Sequence, residues 1–114
     1  GNRIVDISRA VQQHAQKNGF SVVREYVGHG IGRELWEAPQ IPNYVTLQRG
    51  PRLEPGMTLA IEPMINQGVY DIRILNDKWT VVTADGKLSA HYENTIAVTE
   101  DEPFILTKLR GEVF

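Results

Sequence analysis

Apolar residues open the chain at three- and four-residue spacing. Ile4, Ile7, Val11 and Ala15 form the series, and Arg3, Asp6, Arg9, Gln13 and Lys17 fall mainly elsewhere. That period predicts an amphipathic helix over 3–17, which Asn18-Gly19 ends in the manner of a glycine C-cap. His14 lies near the apolar stripe and reads as a partly buried structural residue. Residues 20–27, β-branched and aromatic, then predict a strand. Residues 33–38 support at most a short helical turn. Residues 39–55 hold four of the six prolines and predict a long irregular connection, a kind of segment that is often functional. Glu54-Pro55-Gly56 is a turn signal that launches a strand over 57–62, stopped by Pro63. Further strands are predicted over 72–75, 78–83 and 88–99, joined by two-residue turns at Asn76-Asp77 and Asp85-Gly86, with one more over 104–109. One helix and an antiparallel sheet make an α+β fold in a single domain.

Between the first strand and the proline-rich connection stands Gly28-His29-Gly30-Ile31-Gly32, where the imidazole is the only polar side chain. So little side-chain bulk makes a poor helix and a poor strand, and it suits a backbone that must be thin where His29 presents a nitrogen. An ordinary glycine-rich loop with an exposed histidine has the same composition. Two glutamates alter the balance. Side chains alternate along a strand, so Met57, Leu59 and Ile61 share an apolar face, leaving Glu62 with Thr58 and Ala60. In 89–99, Ala90, Tyr92, Ile96 and Val98 share one face with Asn94. Glu93 shares the other with Ser89, His91, Thr95, Ala97 and Thr99. Glutamate is depleted in strands, and a buried one must be paired, protonated or bound to a cation. Taken singly, each could be a solvated face residue. Taken with the glycine-flanked histidine, they read as a hard-metal site of mixed nitrogen and oxygen donors.

Composition narrows the choice. The 114 residues contain no cysteine, so disulfides and thiolate metal ligands are excluded and any metal must be held by His, Asp and Glu. The formal charge is −2, the pI is about 5.9 and there is no basic block, so nothing argues for nucleic acid or an anionic membrane. No apolar run approaches the roughly 18 residues that cross a bilayer, and no secretory signal is recognisable, which makes the cytoplasm the default expectation. The chain begins at Gly1 and enters helical patterning almost at once, as a processed product or fragment would.

The motifs resemble a known family. Tyr26-Val27-Gly28-His29-Gly30-Ile31-Gly32-Arg33 followed by Glu37-Ala38-Pro39-Gln40-Ile41-Pro42-Asn43-Tyr44 resembles the histidine segment of type I methionine aminopeptidases. Leu53-Glu54-Pro55-Gly56-Met57 running into Ile61-Glu62-Pro63-Met64 is similar to their first glutamate segment. Asp77-Lys78-Trp79-Thr80-Val81, then Ser89-Ala90-His91-Tyr92-Glu93-Asn94-Thr95, is similar to their second. The resemblance implies a pita-bread α+β fold, two divalent ions (Co, Mn, Fe or Zn), and hydrolysis of the peptide bond after an initiator methionine at the N-termini of nascent chains. His29 would ligate one metal and Glu62 would be a carboxylate ligand that also relays a proton. Glu93 would bridge both ions, and the cations would lower the pKa of the attacking water. Trp79 and Met64 match positions near the substrate pocket.

The sequence departs from the family pattern in two ways. The family's two aspartate ligands and one pocket histidine belong to the first half of a longer chain, and the five aspartates here do not replace the pair. Residues 1–114 are therefore expected to be the C-terminal, metal-binding half of the catalytic domain, inactive until the other half is supplied. In addition, Trp36 stands where many members carry a second histidine that hydrogen-bonds the substrate. Indole donates a hydrogen bond but cannot accept or shuttle a proton. Alternatives are a non-catalytic pita-bread binding module, disfavoured because all three ligands are kept, and a prolidase or aminopeptidase P relative, disfavoured by the 39–44 segment and the Trp79 strand.

Overall fold

A computed structural model describes residues 1–111. Helix α1 (Ile4–Lys17) is followed by ten short strands. These are β1 (Ser21–Val22), β2 (Gly28–Gly30), β3 (Glu37–Ile41), β4 (Thr58–Ile61), β5 (Met64–Asn66), β6 (Ile72–Ile74), β7 (Val81–Thr83), β8 (Ser89–His91), β9 (Asn94–Ala97) and β10 (Phe104–Ile105). The main sheet has the order β10-β9-β4-β2-β3, a smaller one runs β1-β5-β8, and β6 pairs with β7. Every pairing is antiparallel, which makes the fold α+β as the hydrophobic pattern predicts.

The helix ends as predicted. Gly19 takes φ +81°, and the N–H groups of Gly19 and Phe20 return to the carbonyls of Gln16 and Ala15, a Schellman closure. At its start, the Asp6 carboxylate accepts the Arg3 N–H at 2.7 Å. The buried stripe differs from the expected one: Ile4, Val5, Ser8 and Ala15 are buried, whereas Ile7 and Val11 are half-buried. The helix turns that way because it carries the proline-rich segment. The Ser8 hydroxyl donates to the Pro42 carbonyl, Gln12 accepts the Val45 N–H at 2.8 Å, and the N–H groups of Ile4 and Val5 reach Pro51 and Arg49. The core gathers Ile4, Ile41, Leu59 and Ile96, with Ile7, Leu53, Met57, Ile61, Val98 and Ile105 packed against it.

Several expected boundaries are corrected. The strand over 20–27 shrinks to Ser21–Val22, and the glycine run forms β2 near the middle of the main sheet. The glycines serve close approach: a Cβ on Gly28 would overlap the Ala60 carbonyl oxygen, and one on Gly30 the Ala38 carbonyl oxygen. Residues 37–41, assigned from sequence to a helical turn and the start of a loop, instead form β3, because β2 offers its second edge to them. The six residues 75–80 replace the predicted two-residue turn at Asn76-Asp77. The Asp77 carboxylate accepts the N–H groups of Trp79 and Thr80 and the Thr80 hydroxyl, which outcompetes a tight hairpin. Asp85-Gly86 is a turn, but it leads from β7 into another sheet. The predicted strand over 88–99 breaks at Tyr92-Glu93 into β8 and β9, and the one over 104–109 keeps only Phe104–Ile105.

The break at Tyr92-Glu93 has a counterpart. β4 pairs with β9 and β5 pairs with β8, so one antiparallel ribbon is interrupted at Glu62-Pro63 on one strand and Tyr92-Glu93 on the other. Both glutamates therefore sit at the crease where the ribbon passes from one sheet to the next.

Because β2 is clasped between β4 and β3, Gly30→Ala should lower unfolding free energy by about 1–3 kcal/mol, the usual cost of overpacking a filled site. Urea denaturation measures it, and an unchanged midpoint would mean that β3 yields freely.

Candidate metal centre

Register places the site's residues. His29 on β2 lies opposite Ala60 on β4, and Ala60 lies opposite Thr95 on β9. Glu62 is two residues beyond Ala60 and Glu93 two residues before Thr95, so all belong to one face. Ala60 is fully buried and adds only a methyl group there, which leaves the imidazole room to lean along β4 toward Glu62. His29 Nε2 comes within 3.1 Å of Glu62 Oε2. One donor atom from each of His29, Glu62 and Glu93 lies within 4.8 Å of the other two. The parity reading of the two strands thus places both glutamates where the glycine-flanked histidine can meet them.

The imidazole is oriented from behind: Nδ1 lies 2.9 Å from the Gly30 carbonyl oxygen. An N–H donated there leaves the lone pair on Nε2, directed at the carboxylates, as a metal-ligating histidine requires. Burial holds the Glu62 carboxyl above the ordinary glutamate range, and the charge of Glu93 and a hydrogen bond with it act in the same direction. His29 and His91 oppose them. Two carboxylates and an imidazole nitrogen converge in a half-buried place, and a divalent cation would neutralise what the side chains alone do not. The donor set fits such an ion.

Beside this cluster is a cleft of about 540 Å³ lined by Tyr26, His29, Trp36, Glu37, Gln40 and Glu62 among others. Trp36 stands edge-on to His29, with ring centroids 6.4 Å apart and planes at 74°. It is 71% exposed. Trp79 and Met64 are not brought to the cleft. Trp79 is 86% exposed in the loop between β6 and β7. Met64 lies opposite His91 and lines a separate cavity with Val23, Asn66 and Ile72. His14 is exposed on the helix, outside the cluster. Asp6, Asp77 and Asp85 are occupied by backbone N–H groups, so none of the three completes the donor set.

One residue near the centre goes unremarked when the motifs alone are read. His91 Nε2 lies 3.6 Å from Glu62 Oε1, the oxygen turned away from His29. Strand parity signals it, since His91 and Glu93 share a face.

Residues 1–100 match the profile of metallopeptidase family M24. The chain belongs to that family. Among M24 relatives, a methionine aminopeptidase of Clostridium perfringens is 59% identical over 109 residues, 96% of this chain and 44% of the relative. Methionine aminopeptidase 1 of Bacillus subtilis is 56% identical over 109 residues, with the same two shares. The crystal structure of methionine aminopeptidase from Thermotoga maritima superposes with a TM-score of 0.90 at 51% identity, covering 96% of this chain and 44% of that one. The corresponding Rickettsia prowazekii structure gives 0.89 at 47% identity, covering 95% of this chain and 44% of that one. The chain thus spans under half the length of the relatives it matches, and its fold is that of the corresponding part of a pita-bread enzyme.

A carboxyl group whose folded pKa lies above its unfolded value binds its proton more tightly when folded. It lowers stability as pH rises through that window, and the loss is complete above the folded pKa. Glu62→Gln removes this cost. The metal-free variant should therefore melt at or above the parent's temperature at neutral pH, with the difference shrinking toward about pH 4. Lower melting at neutral pH would mean that Glu62 stabilises the metal-free fold.

Proposed function

We propose that residues 1–114 are the C-terminal, metal-binding half of a methionine aminopeptidase that removes the initiator methionine from nascent polypeptides during cytoplasmic protein maturation. The observation that carries this reading is the convergence of His29, Glu62 and Glu93 on one sheet face of an M24 chain. The names of its relatives support the activity. The 44% share of these relatives that the chain spans supports a covering partner, which we take to be the missing N-terminal half. Among the described residues no helix is long and apolar enough to cross a membrane.

On this reading His29, Glu62 and Glu93 would hold two divalent ions (Co, Mn, Fe or Zn) together with ligands from the other half. Bound ions would supply Lewis acidity and a water of lowered pKa. The chain's own residues do the rest. The Gly30 carbonyl fixes the His29 ring so that only Nε2 faces the site. Glu62, whose carboxylate lies 3.1 Å from His29 Nε2 in the cluster, is suited to take a proton and return it to the departing amine. Trp36, on the cleft wall, offers its indole N–H to the substrate carbonyl, and Glu37 and Gln40 line the same cleft. Trp79 and Met64 contribute to substrate binding only if the other half brings the peptide to them.

Supplying the N-terminal half, by fusion or in trans, should yield release of methionine from short peptides with a small second residue. Glu62→Gln in that assembly should cost about 10²–10⁴-fold in turnover. Near-normal turnover would rule out the assignment. Trp36→His should raise kcat while changing stability by less than about 0.5 kcal/mol, as expected for an exposed position. Destabilisation without a gain in rate would end the role proposed for Trp36.

A further inference from the structure

The carboxylate of Glu62 has an imidazole on each side. His29 Nε2 is 3.1 Å from one oxygen, and His91 Nε2 is 3.6 Å from the other. The second distance is too long for a hydrogen bond, so direct donation does not account for the placement of His91. Both distances suit donors sharing an ion. Two atoms each about 2.1 Å from one metal lie roughly 3.0–3.4 Å apart at octahedral or tetrahedral angles and about 3.6 Å apart at a trigonal angle of about 120°. The 3.1 Å spacing falls inside the first range and the 3.6 Å spacing at the second value. His91 lies outside the tight group formed by His29, Glu62 and Glu93. It therefore approaches from the far side of the Glu62 carboxylate.

The fold holds it there. His91 ends β8 opposite Met64, immediately before the crease, and the Tyr92 N–H reaches the Pro63 carbonyl at 3.3 Å. That contact ties the backbone beside His91 to the backbone beside Glu62. The ring is 42% exposed, and its one ion-pair partner among the described residues is Glu62.

We infer that His91 is a further nitrogen donor of the metal centre, engaged through the second oxygen of Glu62. The inference rests on reading His29, Glu62 and Glu93 as a metal site. It changes the donor set this chain offers from one nitrogen and two carboxylates to two of each. A second imidazole favours Zn²⁺, Co²⁺ or Fe²⁺ over Mg²⁺ and Ca²⁺, which prefer oxygen.

The test uses this chain with His14→Gln as background, so that only two imidazoles remain. Proton NMR of the Co²⁺-loaded chain counts coordinated rings by their hyperfine-shifted signals, and titration calorimetry gives the Zn²⁺ affinity. Two shifted rings are expected, falling to one in His91→Gln. Zn²⁺ affinity should drop about 10–100-fold, the loss usual when support for a metal site is removed, and the metal-free melting temperature should be unchanged. One shifted ring in the background chain, or Zn²⁺ affinity within twofold after His91→Gln, overturns the assignment and leaves the three-residue centre standing. No shifted ring at saturating Co²⁺ overturns both. The ring count in the background chain decides the question even if the variant folds poorly.

Discussion

The ribbon that starts as β4 with β9 and resumes as β5 with β8 is broken by two residues on each strand, and the centre depends on that break. Proline at 63 has no N–H to offer the ladder, and across from it the contact narrows to the Tyr92 N–H reaching the Pro63 carbonyl at 3.3 Å. A ribbon continued straight through would keep Glu62 and Glu93 as ordinary cross-strand neighbours of like charge, an unfavourable pairing. At the crease they lie at the meeting of two sheets, with His29 on one side of Glu62 and His91 on the other. The same break sends β8 into the small sheet and β9 into the main one, so one local interruption sets both the topology and the position of the carboxylates.

The second requirement is a thin strand. β2 brings His29 between two neighbours whose carbonyl groups occupy the space a side chain would need at Gly28 and Gly30. Glycine there costs conformational entropy but lets the sheet close tightly around His29. Fully buried Ala60 repeats the idea on the adjacent strand, keeping the gap between His29 and Glu62 clear of bulk. The imidazole is thereby fixed from behind by Gly30 and free in front.

The cluster also carries a cost in the metal-free fold. Burial and the neighbouring carboxylate both disfavour the charged form of Glu62, and two histidines only partly offset them. Structural carboxylates elsewhere in the chain show the reverse. Asp77 and Asp85 are held below the ordinary range mainly by hydrogen bonds, from the Thr80 hydroxyl and backbone N–H groups in one case and from backbone N–H groups in the other. The opposite directions set the carboxylates that build turns apart from the one in the cluster.

Local rules within the sequence determined the helix, its glycine closure, the α+β class, and the shared face of Glu62 with Ala60 and of Glu93 with His91. Period 3.6, period 2 and capping chemistry are properties of neighbours along the chain. Other features depend on partners far away in sequence. The glycine run becomes a strand because β3 and β4 offer edges that only thin backbone can approach. Residues 37–41 join the sheet for the same reason, and Ser8 is buried because Pro42 arrives to accept its hydroxyl. The long strand over 88–99 divides because the facing strand divides at Pro63. Alternation could place His91 on the same face as Glu93, but only the crease brings its nitrogen to the second oxygen of Glu62. A side chain's face is set by its own backbone, whereas a distance between two strands is set by everything packed between and around them.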